Sequence, residues 1–553
     1  MIDIQIVMPP DDWDRLRAQE RTLVSTLHGA CLAQPFANPF TWFAADITID
    51  GQTRTQAAVR KKGFFGSLDT TKPALKVDLD EFRDNAGIYG VKKLTLNNAK
   101  QDPSLIRQCV GYQLFANAGL PAPRCNFARV RLNDKDLGIY VNVEEIRKPM
   151  LARYFSNDKG NLYEGTVSDF HPVLINTFEA QTNESANDRS DLARVVDALA
   201  ADDGAIYASL GQVIDLDRFR TYWAMEGLIG FWDGYSSNRN NFYLYNDPSS
   251  GKFHFLPWGI DGILGDGTPI AAFQPNPNTA LFAYSTIARR LVEQPGERAQ
   301  YAARINSLLA SIWNESALNA EIDRMQALLT PYVGDMTAAL LPVRSFVNER
   351  RGRVAEALTS PSSFPPFSVL DYCLAEVGAV AGAFAATWGS YGGPDVADSS
   401  AALRVDVPGL PAIAALGVAT TGLSTSDPNR YRGFLSVDVR SENRRAQFDA
   451  IVDSTRLVPG AHLPIDGQTV KASLSLAEGL LLLDQGSLRL KHASTSPNGR
   501  VCADFDAKAY IFTGRYLVGG PAQPPFPFAP SSEVRLTSEN GGVMRACRPG
   551  RSE

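Results

Sequence analysis

The sequence predicts an α+β protein in which a sheet-rich segment is followed by a helical segment and then by a second, β-rich domain. Residues 1–150 alternate between short strands and one helix, whereas residues 151–359 are mainly helical. Residues 368–553 contain short alternating strands separated by turn residues. The chain of 553 residues is also too long for one ordinary core, which indicates at least two domains.

Hairpins and one inserted helix account for the first segment. "TIDGQT" predicts a hairpin with an Asp-Gly turn, and "FARVRLNDKDLGIYVNVEEI" predicts another that turns at 133–135. "DPSLIRQCVGYQLFANAGL" predicts a helix that is capped by Asp102, has Pro103 in its first turn and stops at Gly119. Residues 1–150 are therefore expected to form a lobe of antiparallel strands with one helix.

The later boundaries follow from helical spacing and from proline and serine content. Apolar residues recur at helical spacing from Asp215 to Thr359, interrupted by one hairpin. "SPSSFPPF" at 360–367 predicts a linker. Strands such as "RGFLSVDVRS" and "LRLKHAS" then predict a sandwich-like accessory domain at 368–553, whose expected role is packing, display or adhesion.

Charge and hydropathy exclude several classes of partner. The net charge is −6, and the densest cationic run is "RKK" at 60–62, which argues against a nucleic-acid or anionic-membrane partner. A small anion such as a nucleotide needs only a few local cations and stays compatible with this composition. No apolar run is long enough for a transmembrane helix.

The cysteines and the N-terminus bear on the compartment. The six cysteines contain no CxxC pair, so they fit either disulfides of an exported protein, with Cys502–Cys547 as the best candidate bridge, or buried thiols. The five histidines are scattered singly, which predicts no zinc site and a packing role for His254. The chain begins directly with a strand-like alternation, so we expect an exported protein whose signal peptide is absent, with a cytosolic protein as the alternative.

The stretch "FWDGYSSNRNNFYLYNDPSSGKFHFLPWGIDG" concentrates oxygen ligands around a hairpin. It places Asp233 before a group of asparagines that includes Asn241, and Asp261 after two short aromatic strands. Transfer of a phosphoryl group from ATP requires an aspartate that positions the acceptor hydroxyl and an Asn–Asp pair that holds Mg²⁺. Mg²⁺ prefers oxygen ligands and takes few carboxylates. The alternative is that each of these residues caps a turn or lies in a loop.

The ordered segments of the chain also resemble a known family. "RKKGFFGS", "TKPALKVDLDEF", "GVKKLTLNNAKQDPSLIRQCVGYQLF", "GNLYEG" and "DGYSSNRNNFYLYNDPSSGKFHFLPWGIDGILG" look like the spore-coat protein H (CotH) kinases over roughly residues 1–350. The resemblance implies an atypical, two-lobed protein-kinase-like fold with an antiparallel-sheet N-lobe and a helical C-lobe. It also implies transfer of the γ-phosphoryl group of ATP, with Mg²⁺ or Mn²⁺, to Ser or Thr of secreted or surface proteins.

The resemblance assigns roles on the nucleotide side of the site. Lys76 in "KPALKVD" would bind the nucleotide phosphates, with Lys72 as its competitor. Arg60 and Lys62 would contact phosphate from a loop over the nucleotide, and Glu144 would contact the adenine or ribose.

On the catalytic side, Asp233 would be the catalytic aspartate, Asn241 the metal-binding amide and Asp261 the metal-binding carboxylate. Two departures from the family pattern stand out. Many members have Trp-Asp-x-Asp where this chain has "WGID", so Gly259 replaces an acid, and the glycine-rich loop reads "KKGFFGS", with Phe64 and Phe65.

These departures define the alternative function. A kinase-like scaffold with little or no activity could act as a surface binding or structural protein through its β-rich domain, and it would have no reason to bind a nucleotide with Mg²⁺. A hydrolase that uses a pair of carboxylates fits less well, because the asparagines and nearby lysines suit a nucleotide better than a sugar.

Overall fold

The structure is a computed structural model, and its chain divides into two compact units. Unit 1 comprises residues 1–21 and 32–367, and unit 2 comprises residues 22–31 and 368–553. The residues that the structure describes are 1–82, 87–185, 187–265, 279–359, 368–390, 399–408, 413–424, 432–441, 444–496, 498–514 and 516–518. The predicted linker at 360–367 and Cys547, the expected partner of Cys502, lie outside these residues.

The described residues confirm a mixed α+β protein with a β-rich C-terminal region. The helices are α1 (Pro10–Ala18), α2 (Leu23–Leu27), α3 (Arg107–Asn117), α4 (Lys148–Tyr154), α5 (Ser190–Leu199), α6 (Ile206–Val213), α7 (Leu216–Ile229), α8 (Tyr235–Asn238), α9 (Thr286–Val292), α10 (Glu297–Ser311), α11 (Glu315–Val333) and α12 (Thr337–Thr359). The strands of unit 1 are β1 (Ile2–Val7), β2 (Phe43–Ile49), β3 (Gln52–Lys61), β4 (Leu75–Asp78), β5 (Lys93–Asn97), β6 (Cys125–Leu132), β7 (Lys135–Val143), β8 (Leu162–Gly165), β9 (Glu179–Ala180), β10 (Phe242–Asp247) and β11 (Lys252–Pro257). The strands of unit 2 are β12 (Val369–Leu370), β13 (Leu374–Thr387), β14 (Ser400–Asp406), β15 (Ile413–Ser424), β16 (Arg432–Ser441), β17 (Arg444–Asp453), β18 (His462–Ile465), β19 (Val470–Leu476), β20 (Gly479–Ala493), β21 (Arg500–Phe512) and β22 (Tyr516–Val518).

Seven strands of unit 1 close into a barrel in the order β1-β2-β3-β4-β5-β7-β6. Both predicted hairpins are present as β2–β3 and β6–β7, and their strands pair antiparallel. The barrel closes through a parallel pairing of β1 with β6. This pairing differs from the lobe of antiparallel strands that the sequence predicted. Alternate residues such as Leu75, Val77 and Leu96 fill its interior, so the residues between them point outward.

The outward face of β3, β4 and β5 and the four-stranded sheet β11-β10-β8-β9 carry the polar residues considered below. Helix α7 lies in the core of this part of unit 1, with Trp223, Met225 and Leu228 fully buried. The buried guanidinium of Arg350 donates hydrogen bonds to the carbonyls of Gly227 and Leu228, which satisfies the C-terminal end of α7. The loop that carries Asp233 therefore begins at a helix end that Arg350 holds in place.

The helix predicted to be capped by Asp102, with Pro103 in its first turn, begins four residues later than Pro103, at Arg107. The Asp102 carboxylate accepts hydrogen bonds from the backbone N–H groups of Ser104 and Arg107, at 3.0 Å each. These bonds form a turn that precedes the helix, so Asp102 caps the helix from outside its first turn. A disulfide joins Cys109 in α3 to Cys125 at the start of β6.

Unit 2 was expected to be sandwich-like, but nine of its strands, β13 to β21, close into one barrel. Closure results from β13, which pairs with β14 on one side and with β21 on the other. Alternation of apolar and polar residues is the same in a sandwich and in a barrel, so the sequence pattern could not distinguish them. The stacked rings of Phe448 and Phe505, with centroids 3.8 Å apart, lie in the packed interior.

A segment near the N-terminus, Thr22–Cys31, belongs to unit 2. The segment contains α2, and its Cys31 forms a disulfide with Cys373. His28 Nδ1 lies 3.1 Å from the carbonyl oxygen of Leu374, and its ring packs edge-on against Tyr510. The chain therefore passes from unit 1 to unit 2 and back within its first 32 residues. Among the described helices, none combines the length and the hydropathy that crossing a membrane requires.

Candidate active site

The hairpin β10–β11 brings the two ends of the acid- and amide-rich stretch together. Phe242, the first residue of β10, pairs with Pro257, the last residue of β11. Just beyond this pair, the backbone N–H of Trp258 donates a hydrogen bond of 3.2 Å to the carbonyl oxygen of Asn241. Asn241, just before β10, therefore lies beside the "WGID" segment that follows β11. Asp261 is reached three residues after Trp258.

Three asparagine side chains surround the carboxylate of Asp233. Asn238 and Asn240 donate to Oδ1 at 2.6 and 3.2 Å, and Asn241 donates to Oδ2 at 2.6 Å. Burial raises the pKa of Asp233, while the three amide hydrogen bonds lower it. The asparagines that follow Asp233 thus position a carboxylate that has an elevated affinity for a proton.

Glu226 fixes the loop that carries Asp233. This fully buried carboxylate of α7 accepts hydrogen bonds from Tyr235 N at 2.7 Å and Ser236 N at 2.9 Å, one on each oxygen. The hydroxyl of Ser236 also donates to it. Sequence reasoning missed Glu226, because a single acid in an apolar helix does not reveal which backbone amides it will bind.

We expect Glu226→Gln to lower the free energy of unfolding by about 1–3 kcal/mol, since one buried backbone N–H would then face an amide N–H₂ instead of an acceptor. The rate of any reaction that uses Asp233 should fall as well. Chemical unfolding monitored by tryptophan fluorescence measures the first effect. Glu293→Gln, which changes an exposed acid of the same unit, is the control and should leave stability unchanged. Wild-type stability in Glu226→Gln would contradict the role given to Glu226.

Asp261 lies among other negative charges. Burial is the main cause that raises its pKa to about 7, and the charges of Asp102 and Asp233 raise it further. Lys62 opposes them. Asp102 is itself paired with Arg107 at 3.4 Å. A divalent cation bound beside Asp233 and Asp261 would neutralise the charge of these two carboxylates.

The residues present fit a Mg²⁺ or Mn²⁺ ion that is also bound by phosphates. The side-chain nitrogen of Asn241 donates to Asp233, so the side-chain oxygen Oδ1 is not bound to that carboxylate. Oδ1 lies close to Gly259, where an added Cβ would be 2.5 Å from it. Asp261 supplies a carboxylate. Among the described residues no group of three His, Cys, Asp or Glu side chains forms a metal site. Mg²⁺ bound in proteins usually takes one or two carboxylates and keeps waters and phosphates as its other ligands.

Lys76 and Glu145 form an ion pair on the outward face of the barrel. Lys76 Nζ lies 3.4 Å from Glu145 Oε1, and Arg147 Nε donates to the other oxygen at 3.1 Å. Glu145 was missed in favour of its neighbour Glu144. The "VNVEEI" segment contains both acids, and the pattern alone does not show which one faces the cleft.

Glu144 and Lys72 are not in contact with this group. Glu144 forms a bidentate pair with Arg153 and accepts a hydrogen bond from Arg124 N at 3.0 Å. It lines a cleft of about 1160 Å³ beside the disulfide of α3, and Glu145 and Arg147 also line this cleft. Lys72 Nζ donates to the carbonyl of Ile139 at 2.6 Å. Both side chains are bound elsewhere.

Lys62 connects the barrel to the acidic loop. Its Nζ donates to Asn97 Oδ1 at 2.5 Å and lies 5.7 Å from the centroid of the Trp258 ring. Burial and, secondarily, the charge of Lys76 lower the pKa of Lys62 to about 8. The structure therefore places Lys62 beside Trp258, at the start of the segment that leads to Asp261, and within electrostatic reach of Lys76 and Asp261.

The lowered pKa of Lys62 predicts a pH dependence of phosphate binding. Below pH 8 the free protein carries an ammonium at this position, whereas above pH 8 it carries a neutral amine that must recover a proton to pair with a phosphate. We expect the Kd for ATP to rise with pH above 8, by at most about tenfold per unit. Calorimetric titrations between pH 6.5 and 9.5 measure this. Lys62→Arg should flatten the profile, and a flat profile in the wild type would contradict the prediction.

A model of the CotH kinase protein family matches residues 59–340, which is 282 of 553 residues. The chain belongs to the CotH kinase protein family. This membership confirms the resemblance inferred from the sequence.

Curated relatives of this CotH family member come from bacteria and fungi. The inner spore coat protein H of Bacillus subtilis is 23% identical over 259 residues, which cover 44% of this chain and 69% of that protein. Invasin CotH3 of Rhizopus delemar is 22% identical over 259 residues, which cover 43% of each. The chain thus spans less than half the length of this fungal relative.

Among solved structures, the proinflammatory kinase CtkA of Helicobacter pylori is 12% identical and has a TM-score of 0.30, covering 54% of this chain and 93% of CtkA. A similarity this low does not establish a shared fold.

Proposed function

We propose that this CotH family member transfers the γ-phosphoryl group of ATP, with Mg²⁺ or Mn²⁺, to Ser or Thr side chains of secreted or surface proteins. One observation carries the proposal. Asp233, Asn241 and Asp261 lie on one loop and the hairpin that follows it. Lys62, at the end of β3, lies beside Trp258 of this segment, and its charge acts on Asp261. Acid, amide and lysine are the groups that phosphoryl transfer from ATP requires.

Each residue has a role in this reaction. Asp233 accepts the proton of the acceptor hydroxyl, because its carboxylate has a raised pKa and is held in place by amides. The oxygen of Asn241 and the carboxylate of Asp261 would hold the divalent ion, which neutralises charge on the phosphates when bound. Lys62 and Lys76 would bind the phosphates from the barrel face. Lys72 and Glu144 receive less support for their nucleotide roles, since both are bound elsewhere.

The compartment and acceptor class have separate support. The disulfides Cys31–Cys373 and Cys109–Cys125 in the described part of the chain, together with the disulfide-bonded state of Cys502, fit a protein that folds in an oxidising compartment. Relatives named as a spore coat protein and as invasins fit action at a cell or spore surface.

The test uses the purified full chain with ATP and Mg²⁺. At a concentration 100-fold above Kd, the ligand should add about 2.7 kcal/mol to the free energy of unfolding, which a thermal-shift measurement detects. Labelled γ-phosphate should then appear on Ser or Thr of a mixed peptide library. If ATP with Mg²⁺ does not stabilise the protein, the alternative of a surface-binding scaffold replaces the kinase.

A further inference from the structure

Arg21 follows α1, in the part of the chain that precedes the family match at residue 59. Its guanidinium carbon lies 4.9 Å from the centroid of the Phe64 ring, and its Nη1 donates to Ala37 O at 2.8 Å. Phe64 in turn packs against Phe36 and Phe65, with centroid distances of 5.4 and 4.7 Å. The two phenylalanines of "KKGFFGS" thus belong to an aromatic group that holds Arg21 in a defined position.

A second guanidinium, that of Arg60, lies on the outward face of β3. It is 4.9 Å from the centroid of the Trp42 ring, and Arg60 is the cross-strand partner of Lys76. Lys62 lies two residues further along the same side of the chain. Like charges directly opposite each other on a sheet are destabilising, so this row of cations is costly unless an anion neutralises it.

The arginines and the lysines of this face differ in what neutralises them. Lys76 is paired with Glu145, and Lys62 is bound to Asn97. No carboxylate of the described residues forms an ion pair with Arg21 or Arg60, and the buried Nε of Arg21 has no described hydrogen-bond partner. Their charges are therefore available to a ligand.

The electrostatic surroundings support the proximity of the two arginines. Burial lowers the pKa of Arg21, and the positive charge of Arg60 lowers it further. Glu179 and Glu164, which are cross-strand partners on β9 and β8, raise it. Burial lowers the pKa of Arg60, and the charges of Glu145 and of the same two glutamates raise it, so both guanidiniums share one set of neighbouring acids.

We infer that Arg21 joins Arg60, for which the family resemblance already implies a phosphate contact, in a pair that binds the polyphosphate chain of the nucleotide, an assignment that rests on the proposed function. A guanidinium can donate two parallel hydrogen bonds to a phosphate, and it stacks on aromatic rings more readily than an ammonium does. Arg21 and Arg60 each lie over an aromatic ring, which leaves N–H groups of the guanidinium available to donate to a phosphate. The segment before the family match therefore contributes to the site.

The test compares three variants of the full chain, Arg21→Gln, Arg60→Gln and Arg15→Gln. Glutamine at position 21 keeps a donor for Ala37 O but removes the charge. Arg15 is the matched control, because it also lies over a ring, Phe43 at 5.4 Å, but is 70% exposed and paired with Asp12. Calorimetry with ATP and Mg²⁺, with inorganic triphosphate and with adenosine separates phosphate binding from base binding.

We expect Arg21→Gln and Arg60→Gln each to raise the Kd for ATP and for triphosphate about tenfold or more, with no change for adenosine. Arg15→Gln should behave as the wild type. Wild-type affinity of Arg21→Gln for ATP and triphosphate would overturn the inference and leave the proposed function standing, and an equal loss in Arg15→Gln would overturn it as well. Binding of triphosphate that depends on Arg21, in a wild type that does not bind ATP, would support the phosphate site and overturn the proposed function.

Discussion

Asp233→Ala is expected to lower the rate of phosphoryl transfer by about 10²–10⁴-fold, because it removes the group that accepts the proton of the attacking hydroxyl. The three amides that bind this carboxylate would remain, and two of the asparagines are half-buried, so the loop should keep its course. Stabilisation by ATP with Mg²⁺ should persist in this variant. Labelled γ-phosphate and a thermal-shift series measure the two quantities.

Asp261→Ala should also abolish transfer, but with a different signature. Because Asp261 is the carboxylate that would hold the divalent ion, we expect the Mg²⁺-dependent part of the thermal stabilisation to disappear with the activity. Asp202→Ala, which removes an exposed acid of the same unit, is the control for both variants and should leave transfer and stabilisation unchanged. Labelling that persists in Asp261→Ala would show that the metal is held elsewhere.

Gly259→Asp is expected to abolish transfer as completely as Asp261→Ala, although it restores the acid found in many family members. The backbone at residue 259 has φ +54°, and an added Cβ would lie 2.5 Å from Asn241 Oδ1 and 2.9 Å from Asn241 Cγ. The new side chain would displace the amide that bonds to Asp233 and would strain the backbone. The transfer assay and ATP-dependent thermal shift measure the result.

A control for Gly259→Asp distinguishes the strain of a side chain at positive φ from its collision with Asn241. Gly251, in the turn of the same hairpin, has φ +67° but would place a Cβ in open space, with nothing within 4 Å. Gly251→Asp should therefore lower stability slightly and leave transfer unchanged. Activity equal to or above the wild type in Gly259→Asp would show that the acid, and not the space that Asn241 uses, is what the site lacks.

The sequence was sufficient for the parts of the site that local rules determine. Two short aromatic strands on either side of "DPSSG" predict the hairpin β10–β11, and antiparallel register then places Asn241 beside the segment that leads to Asp261. Glu226 and Arg21 could not be found this way. Their partners are backbone amides and aromatic rings that are distant in sequence, and only the folded chain brings them together.

The choice between Glu144 and Glu145 also depended on tertiary structure. Adjacent residues at the end of a strand point in opposite directions, so one acid reaches Lys76 and the other reaches Arg153. A shift of one residue reverses the assignment, and nothing in "VNVEEI" fixes the register. Barrel closure in unit 2 was undetermined for a similar reason, since it depends on pairing between β13 and β21, whose ends are remote in sequence.

The position of Thr22–Cys31 in unit 2 has a consequence for how this protein can be divided. A gene fragment that ends at the 360–367 boundary would encode a thiol at Cys31 whose partner, Cys373, had been deleted, together with apolar side chains at Val24 and Leu27 that had lost their burial. Neither fragment therefore contains all the residues of one unit, and we expect chains divided or recombined at that boundary to be insoluble.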